Sequence, residues 1–201
     1  MGKKIEFYFD FGSPNTYLAY FRLPEILARS KAELIWKPML LGGVFKATGN
    51  SSPMTIPAKG EYVRRVAERY ITRHKIPFKS NPYFPVNTLN LMRGAVAHQM
   101  RPEGNFEKYL TTCFTGMWVK PRNLSEPEEI RLMLAEDGFD PDQYSSWIGD
   151  QDVKDRLIEL TNAAVERGVF GAPTFFVGDE MYFGQDTLNE IEQKLNDKDN
   201  D

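Results

Sequence analysis

The 201-residue chain contains one cysteine, Cys113, and two histidines, His74 and His98. A single thiol excludes an internal disulfide, a Cys-x-x-Cys redox pair and any Cys-rich zinc site. Two histidines leave no basis for a His-built metal centre, so no metal is expected. Long apolar runs are missing too, and no stretch approaches the roughly 18 apolar residues that a membrane-spanning helix needs. The amino terminus, Met1 to Asp10, is interrupted by acidic residues and does not read as a secretory leader. Glu6 occupies the place where a myristoylation pattern requires Ser or Thr. A cytoplasmic location and no membrane partner are therefore expected. The sequons at Asn50 and Asn123 are read as chance matches.

Charge of one sign is also lacking. Lys and Arg number 25 against 28 Asp and Glu, a formal net charge of −3. A protein built to grip a phosphate backbone carries a basic excess or a clustered basic face, so no nucleic-acid partner is expected. Arg64, Arg65 and Arg69 read as a solvated helix face. With 41% hydrophobic and 13% aromatic residues the chain can bury a sizeable core.

Residues 5–10 are short and aromatic, bounded by Lys and Gly, and predict a strand. Ser13-Pro14 then starts a helix, Ser as cap and Pro at the first helical position. Pro24 lies inside that helical pattern and is expected to kink or loosen it. Residues 33–38 predict a second strand, parallel to the first because a helix intervenes. Residues 41–57, rich in Gly, Ser, Pro and Asn, read as an ordered loop. Helical periodicity begins at Lys59 and recurs over 88–100, 104–118, 126–137 and 153–167, the last capped by Asp152 and stopped by Gly168. Residues 174–177 and 180–183 form a hairpin around Gly178-Asp179. A closing helix spans 186–195, and the polar residues 196–201 read as a frayed tail.

Two segments carry chemistry. At Ser13 a strand ends and a helix begins, so backbone N–H groups and the positive end of the helix dipole point at whatever lies above it. The Ser13 hydroxyl can cap its own helix or donate to an anion placed there, and both readings stand. In Gly171-Ala172-Pro173-Thr174 a proline precedes a strand. It is either an ordinary trans starter or a cis proline that leaves the Ala172 amide and carbonyl free to pair with an extended ligand.

The order of these motifs is specific when taken together: F-x-S-P-x-T at a helix start, a helical block, V-F-G-A-P-T, a hairpin, then F-G-Q-D before a final helix. The chain resembles the DsbA-like family of thioredoxin folds, and within it the 2-hydroxychromene-2-carboxylate isomerases and the related kappa-class glutathione transferases. The implied fold is α/β and thioredoxin-like, with residues 1–40 and 168–201 forming the thioredoxin-like domain. Residues 41–167 form a mainly helical insertion between its βαβ and ββα halves.

In redox relatives Cys-Pro-x-Cys stands where this chain has Ser13-Pro14-Asn15-Thr16. The resemblance implies that the sulfur arrives with glutathione as cofactor, and that Ser13 donates a hydrogen bond to its thiolate. It places the Ala172 backbone, before cis Pro173, against the cysteinyl part of glutathione. It places Gln185 and Asp186 at the γ-glutamyl end, with Asn50 and Lys59 as further polar contacts. The implied reaction is reversible thiolate addition that converts 2-hydroxychromene-2-carboxylate, or a similar small aromatic-derived acid, to trans-o-hydroxybenzylidenepyruvate. A homodimer is implied as well.

The chain departs from the family pattern in two places. Thr187 replaces the usual Arg after F-G-x-D, removing a guanidinium beside Asp186. Gly12 replaces a bulkier residue and would open space beside Ser13. A kappa-like glutathione transferase or peroxidase is the nearest competing activity, and a non-catalytic thioredoxin-fold module that binds a peptide along the Pro173 edge belongs to another class. Cys113, His74 and His98 read as structural. Trp118, Phe84 and Tyr83 are candidates for an apolar substrate wall or for the core.

Overall fold

The computed structural model describes residues 3–197. A four-stranded sheet has the order β2-β1-β3-β4, formed by β1 (Lys4–Phe9), β2 (Glu33–Pro38), β3 (Thr174–Val177) and β4 (Glu180–Phe183). β1 and β2 are parallel, while β3 lies antiparallel to both β1 and β4. The parallel pair is joined through α1 (Pro14–Ser30), as the intervening helical pattern requires.

Phe7 and Phe9 point to one face of β1 and are fully buried, Phe7 stacking on Phe175 with ring centroids 4.9 Å apart. Tyr8 points to the other face, against Phe176, because side chains alternate along a strand. Both faces of the sheet are thus covered. α1 and α9 (Leu188–Asn196) pack together and contribute to the larger core with Phe7 and Phe9. α2 (Leu41–Thr48) and α8 (Gln151–Glu166) close the opposite face over Tyr8, Met39, Val44, Ala164 and Phe176. Between them run α3 (Pro57–His74), α4 (Leu89–Met100), α5 (Phe106–Trp118), α6 (Pro127–Glu136) and α7 (Pro141–Gly149).

Several elements differ from expectation. The loop read over 41–57 contains α2 and a 3-10 turn, Pro53–Thr55. Gly42 and Gly43 depress local helix propensity. The helix forms because the Asp10 carboxylate, from the end of β1, accepts from the Leu41 N–H at 2.8 Å and Val44 is buried. α1 continues through Pro24, which removes one intrahelical donor but does not end the helix. α7 is an additional helix, started by Asp140 as its cap and Pro141 in its first turn. α8 begins at Gln151, and Asp152 pairs with Arg101 rather than capping it. Gly168 does stop that helix, with φ of +91°. Beyond Asp197 the polar tail lies outside the described residues.

Arg64 and Arg65 pair with Glu61 on their own helix, Arg64 also with Glu68, and Arg69 is exposed beside them. Among the described residues no helix is long and apolar enough to cross a membrane, and no group of His, Cys, Asp and Glu could hold a metal ion.

Cys113 is fully buried on α5, and burial pushes its thiol far above the ordinary range. A thiolate is the reactive form, so a native sample should consume no thiol reagent such as DTNB and one equivalent after urea unfolding. Rapid native labelling would contradict this placement. His98 on α4 is buried against Tyr109, Phe139 and Trp147, and its Nδ1 accepts from the Asn105 N–H at 3.1 Å. Burial lowers its pKa from 6.5 to about 4. The unfolded chain then binds the extra proton first, so His98 stabilises the fold above pH ~6.5 and loses that contribution as pH falls toward 4. The loss amounts to about 3 kcal/mol. Urea midpoints at pH 7 and pH 4.5 should fall less for His98→Gln than for the natural chain, and parallel curves would refute the assignment.

Candidate active site

Ser13 caps α1 with extended backbone geometry, and its Oγ accepts from the Thr16 N–H at 3.2 Å. The same hydroxyl donates to the Ala172 carbonyl at 2.9 Å. The two readings of Ser13 are therefore compatible: it caps with its lone pairs and donates with its proton. Pro14 has no N–H, Thr16 N is taken by Ser13 Oγ, and Tyr17 N bonds Ser13 O at 3.2 Å. That leaves the Asn15 N–H as the first-turn donor available to an anion, at a helix end with no acidic residue in its first turn. Thr16 Oγ1 and Asn15 Oδ1 are buried here without a hydrogen-bond partner among the described residues.

The opposing wall is the turn before β3. The Ala172-Pro173 peptide is cis, the second of the two forms considered for it. Gly184 N donates to Pro173 O at 3.0 Å, which ties the F-G-Q-D segment to the same turn. Gly171 allows a close approach, since a Cβ there would sit 2.7 Å from the Phe183 ring. Asn50 joins the turn directly, its Nδ2 donating to Phe170 O at 2.8 Å. Gln185 is buried and Asp186 exposed beside it. The structure thus brings Ser13, Asn50, Ala172 and Pro173 into one hydrogen-bonded neighbourhood, with Gln185 and Asp186 joined to it through the adjacent Gly184. Lys59 is exposed on the first turn of α3 and makes no hydrogen bond to these residues among those described.

Asp10, Tyr70 and Thr88 are positioning residues that escaped sequence reasoning, and Trp118 does more than line a wall or the core. Asp10 is buried at the end of β1, where its carboxylate accepts from the Gly12 N–H and the Leu41 N–H, both at 2.8 Å. Burial raises its pKa despite those donors. A carboxylate ending an apolar strand just before a turn is the signal that marks it. Trp118 donates to Phe11 O at 2.9 Å from the core and stacks on Phe78, so it pins the turn from below. Phe84 packs partly buried against Trp118, whereas Tyr83 is exposed. Tyr70 on α3 donates to Gln185 O at 3.2 Å, and its pKa is raised by burial first. Thr88 corrects the reading of Gly12: a Cβ there would lie 3.1 Å from Thr88 Cγ2, so the space beside Ser13 is occupied. Thr187 donates instead to Gly184 O at 2.8 Å, bracing the segment that holds Asp186.

The arrangement can bind an extended peptide-like ligand along the Pro173 edge and stabilise an anion at the α1 end. Among the described residues it holds no His–Ser pair and no thiol. The model of the DSBA-like thioredoxin domain matches residues 4–196. A 2-hydroxychromene-2-carboxylate isomerase of Sphingobium xenophagum is 28% identical over 98% of this chain and 100% of its own length. One from Pseudomonas sp. strain C18 is 30% identical over 95% of this chain and 89% of its own. Glutathione S-transferase kappa 1 of Rattus norvegicus is 26% identical over 96% of this chain and 91% of its own. A solved 2-hydroxychromene-2-carboxylate isomerase superposes with a TM-score of 0.83 at 27% identity, covering 96% of this chain and 94% of that one. Pseudomonas aeruginosa DsbA, at 15% identity and a TM-score of 0.57 over 96% and 81%, shares the fold. The chain belongs to the DsbA-like thioredoxin domain family, in the branch that holds the 2-hydroxychromene-2-carboxylate isomerases and the kappa-class glutathione transferases.

Proposed function

We propose that this protein is a glutathione-dependent isomerase acting on 2-hydroxychromene-2-carboxylate or a similar conjugated aromatic acid. One observation carries the reading. A buried serine hydroxyl stands at the α1 end where a thiol would serve redox chemistry, 2.9 Å from the carbonyl that precedes a cis proline. The residues fit glutathione: a free first-turn N–H, a carbonyl on an extended edge, a buried amide at Gln185 and a carboxylate at Asp186. When bound, glutathione supplies a thiolate able to add reversibly to an electron-poor carbon.

This chain's residues would do the rest. An amide donor on the ligand would replace Ser13 at the Ala172 carbonyl, releasing the Ser13 proton toward the sulfur. Ser13 Oγ keeps its bond from Thr16 N throughout and so stays oriented. Asn15 N–H and the helix dipole add to the stabilisation of negative charge. Asp186 would hold the γ-glutamyl ammonium and Gln185 the adjacent polar groups. Asn50 and Lys59 complete the proposed contacts, Lys59 through its length and exposure.

The test mixes the protein with glutathione and 2-hydroxychromene-2-carboxylate and follows the absorbance of the ring-opened enone. Product should form with no net loss of glutathione. Full activity without glutathione overturns the proposal. Stoichiometric consumption of glutathione with a model electrophile, and no isomerisation, would assign a kappa-like transferase instead.

A further inference from the structure

A cavity of about 180 Å³ lies where α2, α4 and α8 converge. Leu40, Leu89, Leu157 and Ile158 form its apolar walls, while Arg93 and Lys154 bring two cations to it. Among the described residues no Asp or Glu lines it. Arg93 Nε is buried and meets no acceptor among the described residues. Lys154 donates to Gly149 O, which leaves two of its three ammonium hydrogens. The carboxylates of Asp150 and Asp152, near the start of α8, are both taken by Arg101. Thr161 accepts from Leu40 N at 3.0 Å and commits its proton to Leu157 O at 2.7 Å, so it has no donor left for a ligand.

A guanidinium partly removed from water without a counter-charge is costly, and an incoming anion relieves that cost. The apolar walls favour a hydrocarbon body, and a cavity of about 150 Å³ is known to hold one benzene ring. We infer that this cavity binds a small aromatic carboxylic acid, with its carboxylate on Arg93 and Lys154 and its ring between Leu40, Leu89, Leu157 and Ile158. The site is separate in its residues from Ser13 and the Pro173 edge, and the inference stands apart from any role for glutathione. It is not remote, however. Leu40 precedes Leu41, which bonds Asp10, and Leu89 follows Thr88, which abuts Gly12. An occupant therefore touches both neighbours of the frame that holds the Ser13 turn.

Benzoate is the probe, titrated by calorimetry and by amide chemical shifts, with benzyl alcohol as its uncharged control. One benzoate should bind per chain, with shifts centred on Leu40, Gly43, Leu89 and Thr161. Benzyl alcohol should bind about tenfold more weakly, as should benzoate to Arg93→Gln. Ile158→Trp, at an exposed wall position, should fill the cavity and abolish binding without threatening the fold. Both variants should bind glutathione as the natural chain does. Equal binding of benzyl alcohol, shifts centred on Ser13 and Ala172, or unchanged benzoate binding by Ile158→Trp would overturn the inference. Failure of glutathione to bind would count against the proposed isomerase alone.

Discussion

Ser13→Ala is expected to lower turnover in the glutathione-dependent isomerisation about 100-fold, the loss typical of removing one preorganised donor to a developing or resident anion. The same change deletes a helix cap, which costs about 1 kcal/mol, so a fall of a few degrees in Tm should accompany it. Two measurements separate these effects. The pH–rate profile should move, with the ionisation that governs activity rising by about one unit or more as the thiolate loses its donor. Ser13→Thr keeps both the cap and the hydroxyl and should recover most of the activity. A kcat within about threefold of the natural enzyme in Ser13→Ala would leave Ser13 as a cap only. The Asn15 N–H and the α1 dipole would then have to account for any anion stabilisation.

The second large effect falls on stability. Asp10→Ala should destabilise the fold by about 3–5 kcal/mol, because it orphans the Gly12 and Leu41 N–H groups and leaves a cavity in a buried place. For a domain of this size that is a Tm drop of roughly 10 °C. Asp10→Asn retains an acceptor oxygen and should cost much less. Its milder cost also follows from the raised pKa of Asp10, since burial already disfavours the charged form. The sign is the reverse of the usual carboxylate case: stability associated with Asp10 is greatest below its unfolded pKa and declines as pH rises through its folded one. Chemical unfolding of both variants, with the pH dependence of each, checks the prediction. Equal stability of Asp10→Ala and the natural chain would remove Asp10 from its place as the strut between β1, α2 and the Ser13 turn.

Much of the fold is written locally. Alternation and aromatic content mark β1 and β2, Gly178-Asp179 marks the hairpin, and Ser13-Pro14 starts α1 where the structure starts it. Those signals act between residues a few positions apart, so a linear reading reaches them. The absence of thiols at Ser13 and Thr16 is likewise complete in the sequence, and it alone excludes disulfide exchange at that site.

The rest depends on contacts across the chain. α2 exists against the propensity of Gly42 and Gly43 because a carboxylate 31 residues upstream caps it and α8 receives its apolar face. At Gly12 the open space expected from sequence is filled by Thr88, which lies just before α4. Sequence order offered Ser13 two roles, and only the approach of Ala172, separated from it by 159 positions, showed that one hydroxyl performs both. Local patterns fix what each segment can become, because capping and side-chain alternation are short-range. Which buried donor meets which acceptor is decided only when packing brings distant segments within about 3 Å of one another.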